Sequence, residues 1–365
     1  MSEWQTFYLK DLVKIFGGST PPTNNPKNYG NKIAWITAKD LSTLQGRYIK
    51  KGSRSISRLG FKSCSCVLLP KHAILFSVRA PIGYTAIISK RSCAAKGLMG
   101  LVPNKKIYFE FLYYLLKYHK DNISNMGVGT TFKGISKPVL GLFKVKIPPT
   151  YYEQQKIART LSVLDQKIEN NHKINELLHT LAYKIYEYYF KYKPKNAKLE
   201  QIIIENPKSN IMVKNAQKTQ DKYPFFTSGD NILSYPKAII DGRNCFLNIV
   251  GNAGIKFYVG KASYSTNTWC ICANGFSDYL YLLLSSIKNH INQRFFQGTS
   301  LKYLQKNLLK KYPIYMPSSH EIKKFNQIIM PLLTLISINT RTSKKLEQIR
   351  DFLLPLLLKQ QVKPK

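Results

Sequence analysis

The chain has 365 residues, and 56 lysines and arginines against 19 aspartates and glutamates give it a formal net charge of +37. A hydrophobic fraction of 44% excludes a disordered polybasic tail, because such tails lack the apolar surface that offsets the entropy of ordering. The excess of positive charge on a folded protein points to a polyanionic partner, of which nucleic acid is the commonest. An AT-rich genome that favours lysine is a partial alternative, but it would raise glutamate as readily.

The sequence also excludes several classes of protein. It has no run of about 18 apolar residues, so we expect no membrane span and no membrane partner. Its first residues lack the basic and apolar regions of a signal peptide. Six cysteines in a chain of this length do not form a disulfide framework, which predicts reduced thiols and a cytoplasmic location.

Four segments follow one another along the chain. Residues 1–148 have short β-rich runs separated by Gly, Pro, Asn and Ser, and an apolar helix is expected around 108–118. Residues 149–195 form a long helix and a linker. Residues 196–316 repeat the globular pattern, with an apolar helix around 277–288, and residues 317–365 form a second long helix with a basic tail.

The two halves of the chain are copies of one pattern. Gly129–Lys133 and Gly298–Lys302 match at a shift of 169 residues, while Glu153 and Glu321 match at a shift of 168. The order and spacing of such matches hold over roughly 80 residues. The sequence therefore predicts a tandem duplication in which each globular part is followed by a long helix.

Both long helices carry apolar residues at alternating steps of four and three, which is a heptad seam. Asn171 and Asn339 hold equivalent polar positions in the two seams, and a buried polar residue there fixes register. Two such helices pair most simply with each other, although two ordinary core helices are the alternative. Pro331 is expected to kink the second helix or delay its start. The seam residues that carry this prediction are Ile157, Leu161, Leu164, Ile168, Asn171, Leu332, Ile336, Asn339 and Leu346.

The predicted fold class is therefore α+β. Two mixed α/β domains stand in tandem, each is followed by a long helix, and the helices pair as an antiparallel coiled coil with pseudo-two-fold symmetry. Each helix of about 40 residues would be roughly 60 Å long at a rise of about 1.5 Å per residue.

Catalytic patterns are weak throughout. The glycines near Gly254 miss the spacing of a phosphate-binding loop, and no glycine fingerprint opens a βαβ unit. Cys64 and Cys66, with Cys270 and Cys272, could in principle supply four zinc ligands, but buried thiols are the favoured interpretation. We therefore expect no catalytic residue, no metal and no cofactor.

Patterns for nucleic-acid binding are better. Arg79 and Asn252 lie on tight turns, where such side chains can bind guanine or adenine edges, although solvated turn residues are an equal alternative. The two repeated loops offer hydroxyls, backbone N–H groups and a lysine, which are common phosphate contacts. The complete set of predicted DNA-binding residues is Thr37, Lys39, Arg79, Lys96, Thr130, Thr131, Lys133, Thr227, Ser228, Asn252, Lys256, Thr299, Ser300 and Lys302.

In order, these motifs resemble those of the specificity subunit of a type I restriction–modification system. The resemblance rests on Trp4–Leu12, Gly17–Pro21, Ile33–Leu41 and Ile147–Ile157 in the first half, and on Tyr223–Gly229 with the Gly251–Gly254 turn in the second. It covers nearly the whole chain. Each motif alone is only weakly specific for this family, but the order of the motifs occurs twice in the chain.

The resemblance implies a non-catalytic protein that selects double-stranded DNA for other subunits. Each domain would read one half of a bipartite target, and the paired helices would set the spacing between half-sites and dock two methylation subunits. Restriction and translocation subunits would join for cleavage. Because the two domains differ in sequence, we expect an asymmetric target, with half-sites about 34–36 Å apart as for a dimeric reader.

The two helix starts differ at the residues expected to contact partners. The first has Glu153, Gln154 and Gln155, whereas the second has Glu321–Lys323 and lacks the glutamine pair. If those glutamines contact a methylation subunit, the second docking site is weaker.

Two other classes compete with this interpretation. A stand-alone DNA-binding or architectural protein would bind a specific sequence without any methyltransferase partner. A fused methyltransferase or nuclease would need the cofactor and catalytic motifs that this sequence lacks.

Overall fold

The computed structural model describes residues 3–79, 81–129, 133–216 and 222–364, and the chain divides into two compact units. The first unit comprises Met1–Asn170 and Ser343–Lys365, and the second comprises Asn171–Thr342. Each unit holds one globular part and a segment of each long helix. The units group residues by packing, whereas the four segments proposed from the sequence follow the order of the repeats, and their boundaries stay predictions.

The first unit is built on a five-stranded sheet. Its strands are, in spatial order, Val13–Gly17, Leu98–Pro103, Ile74–Ser77, Thr85–Ile88 and Tyr48–Ile49, of which only the last pair is parallel. A second sheet contains Arg54–Ile56, Tyr29–Ile36 and Cys93–Ala94, and Gln5–Tyr8 pairs with Lys144–Ile147. The α-helices of this globular part are Leu9–Leu12, Ala38–Ser42, Arg58–Lys62, Phe109–Tyr118, Lys120–Asn125 and Lys137–Gly141.

The central strand of that sheet is buried on both faces. Ile74 and Phe76 pack into the core that holds the helix Phe109–Tyr118, while Leu75 packs into a separate core on the other face. Successive side chains of a strand point to opposite faces, so the continuous apolar run 73–76 suits a strand covered on both sides.

The second unit has a four-stranded antiparallel sheet. Its strands are, in spatial order, Ile204–Glu205, Thr268–Cys272, Arg243–Asn248 and Ile255–Val259. Beside it lie the three-stranded sheet Leu233–Tyr235, Tyr223–Phe226 and Ser263–Tyr264, and the strand pairs Ala197–Lys198 with Pro313–Ile314 and Phe296–Gln297 with Tyr303–Leu304. The α-helices of this globular part are Ser277–Ser286, Lys288–Arg294 and Lys306–Lys310.

The two units share one order of elements. In each, three antiparallel strands lead into a ten-residue apolar helix, a second short helix, a glycine loop, a third short helix and an edge strand. That edge strand pairs with a strand near the start of the same globular part, and a long helix follows. The predicted duplication of a mixed α/β part followed by a long helix is confirmed.

Two long helices contribute to both units. The central helix spans Tyr151–Tyr186 and continues as a π-helical turn over Glu187–Lys191, and the C-terminal helix spans Ser319–Leu358. In the first unit, Ile157 shares a core with Leu357, and Arg350 pairs with Asp165. In the second, Asn339 bonds Asn175, and Phe325 contacts Phe190. The helix segments therefore pair antiparallel within each unit.

Of the two outcomes expected for Pro331, a kink or a delayed start of the second helix, the delayed start is wrong. The C-terminal helix already begins at Ser319 and continues through Pro331, which is exposed. Ile329 and Leu333, on either side of the proline, are buried. Burial of both neighbours offsets the backbone hydrogen bond that a proline cannot donate. In the part of the chain that is described, no helix is long and apolar enough to cross a membrane.

Candidate nucleic-acid interface

Three segments that carry predicted DNA-binding cations meet in the first unit. The backbone N–H of Val78 donates to the carbonyl of Gly97 at 2.9 Å, and Ile135 N–H donates to the carbonyl of Val78 at 3.0 Å. Arg79 forms a β-bridge with Gly134. The exposed residues Arg79, Lys96 and Lys133 therefore stand on adjacent backbone segments. We call this set the first basic cluster.

The glycine loop beside this cluster is closed by backbone hydrogen bonds. Val128 and Gly134 each donate to the other's carbonyl at 3.0 Å. Gly129 has a φ of 142°, a backbone conformation that L residues with a side chain rarely adopt. Thr130 and Thr131, which were predicted to contact phosphate, lie outside the described residues.

The second unit repeats this backbone frame. Ile249 N–H donates to the carbonyl of Asn267 at 3.0 Å, and Leu304 N–H donates to the carbonyl of Ile249 at 2.8 Å. Gly251 N–H donates to the carbonyl of Lys302 at 2.9 Å. Gly298 has the same φ of 142° as Gly129, and a Cβ there would lie 2.2 Å from the carbonyl oxygen of Leu301. The exposed predicted residues on this frame are Asn252, Thr299, Ser300 and Lys302.

The side chains on the two frames differ. Matching Val78 to Ile249 through their hydrogen bonds places Val250 at the position of Arg79 and Thr266 at the position of Lys96. Only the loop lysine is common to both. One backbone arrangement thus presents three cations in the first unit and one in the second at equivalent positions.

Other predicted residues of the second unit hold the loops together instead of facing solvent freely. Lys256 Nζ donates to the carbonyls of Thr227 and Gly229, at 2.7 and 2.6 Å, and burial lowers the pKa of this lysine. Thr227 is buried, and its Oγ1 accepts from Gly229 N–H at 3.0 Å. Ser228 Oγ donates to the carbonyl of Asn267. These groups shape the loop whose surface is available to a ligand.

Asn248 is a residue of this site that the sequence did not reveal. Its Nδ2 donates to the carbonyls of Ser228 and Asn252, at 2.9 and 3.1 Å, so one buried amide joins two loops. A polar residue inside the otherwise apolar run 245–249 was the available signal. A buried amide of this kind usually satisfies nearby backbone groups.

Thr37 and Lys39 lie at the start of the short helix Ala38–Ser42. Thr37 is its N-cap, and the Thr37 hydroxyl donates to Asp40 at 2.7 Å while accepting from Asp40 N–H at 3.3 Å. Lys39 is exposed. Trp35, just before them, is buried and donates from its indole to the carbonyl of Ser19, so it is a core residue and not a stacking platform.

Seam residues on both helices are turned away from solvent. In the first unit, Ile157, Leu161 and Ile168 are buried, and Leu164 is half-buried. In the second unit Ile336 is buried, while Leu332, Asn171 and Asn339 are half-buried, as is Leu346 in the first unit. The heptad pattern therefore marks the faces on which the helices pack.

The three residues expected to contact a partner at the start of the central helix have different surroundings. Glu153 accepts from the Thr150 hydroxyl at 3.1 Å, and its backbone N–H donates to the same hydroxyl oxygen at 3.2 Å. Gln154 is 1% exposed, and its amide bonds the backbone N–H of Tyr108 at 2.8 Å and the carbonyl of Lys106 at 2.9 Å. Gln155 is exposed. Of the glutamine pair, only Gln155 presents its side chain to solvent.

Cysteine and other metal-ligating side chains form no metal-binding group of three or more within the residues that the structure describes. Cys64 Sγ lies 3.1 Å from Cys66 Sγ. The hydrogen bond with Cys93, and then burial, raise the pKa of the Cys66 thiol. Cys270 is buried in the second unit, and its pKa is raised by desolvation.

Comparison with known proteins gives one consistent result. Residues 1–180 and 192–348 match the family model of the type I restriction modification DNA specificity domain. The type I restriction enzyme MjaIX specificity subunit of Methanocaldococcus jannaschii is 28% identical over 98% of this chain and 93% of its own length. A putative type I specificity subunit of Mycoplasma genitalium is 23% identical over 84% of this chain and 80% of its own.

A solved structure shows the same fold. The type I restriction–modification S subunit from M. genitalium superposes with a TM-score of 0.64 at 18% identity, covering 97% of this chain and 96% of that one. Two copies of one α/β frame, each presenting a polar or basic loop surface and each followed by a long helix, define a tandem DNA-recognition protein. The chain belongs to the family of type I restriction–modification specificity subunits. The resemblance and the α+β fold class given by the sequence are thus confirmed.

Proposed function

We propose that the chain reads an asymmetric, bipartite DNA target, with one half-site for each unit. The observation that carries this proposal is the shared backbone frame with different side chains. Arg79 and Lys96 in the first unit correspond to Val250 and Thr266 in the second. Base edges are distinguished by the donors, acceptors and apolar groups that meet them, so different side chains on one frame select different half-sites.

The net charge supplies affinity and not selectivity. A charge of +37 attracts the DNA phosphates whatever the base sequence. The affinity of such binding falls steeply as the salt concentration rises. Lys133 and Lys302 occupy the one position that is a cation in both frames. At this position a lysine can contact phosphate and so set the register of each unit on the duplex.

We further propose that two methylation subunits bind the long helices and that restriction subunits join this assembly, so that catalysis belongs to the partners. Support comes from a row of exposed apolar side chains on the helices of the second unit, which are 41–70% exposed. They are Ile174, Leu177, Leu181, Ile328, Leu335 and Ile338.

The position of these six residues on the helices defines one face. On the central helix, Ile174 and Leu181 immediately precede positions 175 and 182, which continue the seam at steps of four and three. On the C-terminal helix, Ile328 and Leu335 immediately precede the seam positions 329 and 336. In an antiparallel pair, these positions of both helices line the same flank. A contiguous exposed apolar face of this kind is typical of a protein interface.

Methylome sequencing with and without this gene tests the DNA-reading proposal. We expect adenine methylation at one bipartite motif to disappear in the deletion strain. An unchanged methylome in a strain with active methylation subunits would overturn the proposal.

A domain exchange tests the assignment of one half-site to each unit. Replacing residues 196–316 with the corresponding segment of another specificity subunit should change one half-site and leave the other intact. A change in both half-sites, or in neither, would refute the assignment.

A further inference from the structure

A half-buried arginine joins the sheet of the second unit to the C-terminal helix. Arg243 forms a bidentate ion pair with Asp278, in the first turn of the helix Ser277–Ser286. The same guanidinium donates to Thr334 Oγ1 at 2.9 Å and to the carbonyl of Met330 at 3.1 Å, both on the C-terminal helix. One planar group therefore connects a strand, a short helix and a long helix.

The first unit has a corresponding junction. Arg47, with 3% of its side chain exposed, donates from Nη1 to Glu110 at 3.0 Å. Glu110 lies in the first turn of the helix Phe109–Tyr118. Arg47 also donates to Glu169 on the central helix, from its backbone N–H at 2.8 Å and from Nε at 3.1 Å.

This junction extends to the C-terminal helix. Asp165, one turn before Glu169, accepts from the hydroxyl of Tyr114 at 2.6 Å and from Arg350 at 2.7 Å. The globular part of the first unit is thus tied by buried, charged hydrogen bonds to a segment of each long helix.

The two junctions are built on equivalent acids and non-equivalent arginines. Glu110 and Asp278 are related by the repeat shift of 168 residues, and both lie in the first turn of the ten-residue helix. On the frame that matches Val78 to Ile249, the position equivalent to Arg243 is His72, whereas Arg47 immediately precedes a different strand. In both units an arginine bonds the acid at the start of the ten-residue helix and also bonds a long helix, but the two arginines lie at different positions of the repeat.

Stability alone does not account for such junctions. Replacing a buried ion pair with well-packed apolar residues is often neutral or stabilising, since desolvation of the charges is costly. A guanidinium fork instead imposes direction, because its N–H groups bond in fixed positions within one plane. A displaced helix would break several charged hydrogen bonds at once.

We infer that Arg47 and Arg243 are positioning residues that fix the orientation of each DNA-reading surface on its own helix segments, and so restrict the target to one spacer length. This inference rests on the proposed function, because spacer length has meaning only for a bipartite target. This role requires no contact between either arginine and a DNA base. They act by preventing the reading surface from tilting on the helices.

Two substitutions test the inference in the complete complex with its methylation subunits. Arg243→Lys keeps the charge but removes the fork that reaches Asp278 and the helix together. Thr334→Val keeps the Arg243–Asp278 pair and removes only one acceptor on the helix. Ile271→Val, in the buried strand Thr268–Cys272, is the control that destabilises the same unit without touching the junction.

Methylation is then mapped at every copy of the two half-sites, sorted by the spacing between them. Both junction variants should retain the half-site sequences, while methylation at spacings one base pair longer or shorter rises about tenfold, the equivalent of one charged hydrogen bond. Ile271→Val should keep the wild-type spacing. An unchanged spacing profile in the junction variants, or equal broadening in Ile271→Val, would overturn the inference. If the wild-type complex itself methylates no bipartite motif, the proposed function fails instead.

Discussion

Asn339 donates a hydrogen bond from its Nδ2 to Oδ1 of Asn175 at 2.9 Å, between the two helices of the second unit. Asn175 in turn donates to the carbonyl of Ile336 and to Thr340 Oγ1, both at 3.4 Å. Both asparagines occupy seam positions that the heptad pattern would otherwise fill with apolar side chains. A polar pair at such positions costs stability but favours one register over its neighbours.

Replacing one of these asparagines should be worse than replacing both. Asn339→Leu leaves Oδ1 of Asn175 without this donor, and we expect a loss of about 1–3 kcal/mol in the stability of the helix pair. The double substitution Asn175→Leu and Asn339→Leu should recover most of that loss, because apolar seam residues pack together. Hydrogen exchange of the amides in residues 171–186 measures the effect within this unit. A double variant as unprotected as the single one would contradict the prediction.

The adjacent glutamines at the start of the central helix should respond differently to substitution. Gln154→Ala removes two short hydrogen bonds to the backbone before the helix Phe109–Tyr118, and leaves buried groups unsatisfied, so we expect a loss of about 1–3 kcal/mol. Gln155→Ala, at an exposed position, should change stability by less than about 0.5 kcal/mol. Thermal unfolding of the two variants measures this difference.

Binding of a methylation subunit separates the roles of these residues further. If Gln155 contacts a partner, Gln155→Ala weakens the complex while the stability of the chain is unchanged. Co-purification of the methylation subunit with each variant provides the measurement. Equal retention with Gln155→Ala and with the wild type would exclude that contact.

The repeat and the seam were predictable because both depend on spacing along the chain. Asn171 and Asn339 occupy matching positions in the repeat, yet Asn339 bonds Asn175. Repeat equivalence relates residues at a constant shift, whereas contacts in an antiparallel pair relate a rising number on one helix to a falling number on the other. The heptad spacing therefore predicts which faces of the helices pack, but not which residue each polar side chain bonds.

The loop residues were less predictable, for a different reason. Lys256 and Lys302 are equally basic in sequence, but Lys256 donates to two loop carbonyls while Lys302 is exposed. Which polar groups are satisfied inside a protein depends on the fold of distant segments, here on the approach of the Thr227–Gly229 turn to a strand. Composition and motif order cannot supply that information.

Cations of the first basic cluster should differ in what they contribute to DNA binding. We expect Lys133→Ala to weaken binding to all sequences alike and to reduce the slope of affinity against salt by about 0.9, the value for one lost phosphate contact. Arg79→Ala should also relax the preference for one base, at a cost of about 1–3 kcal/mol. Titrations of the target and of single-base variants at several salt concentrations distinguish the two effects.

A matched control for these titrations is available at the far end of the strand that follows Lys96. Lys105→Ala removes an exposed lysine beyond the end of the strand Leu98–Pro103 that is opposite Lys96. Its affinity and salt slope should be close to those of the wild type. If Lys105→Ala weakened binding as much as Lys133→Ala, the net charge would explain the affinity without any role for the cluster.

Two half-buried histidines should make the fold sensitive to mild acid. His179, which lies 3.4 Å from the hydroxyl of Tyr281, and His119 both have a pKa that burial lowers below the ordinary value. The unfolded chain then binds more protons than the folded chain, so the stability that the neutral rings preserve is complete above the unfolded pKa of about 6.5. This stability is lost as the pH falls from the unfolded pKa toward the lower pKa of the folded chain. We expect the melting temperature to fall between pH 7.5 and pH 5.5, and the double substitution His119→Gln and His179→Gln to make that fall smaller; the same fall in both proteins would show that other groups control it.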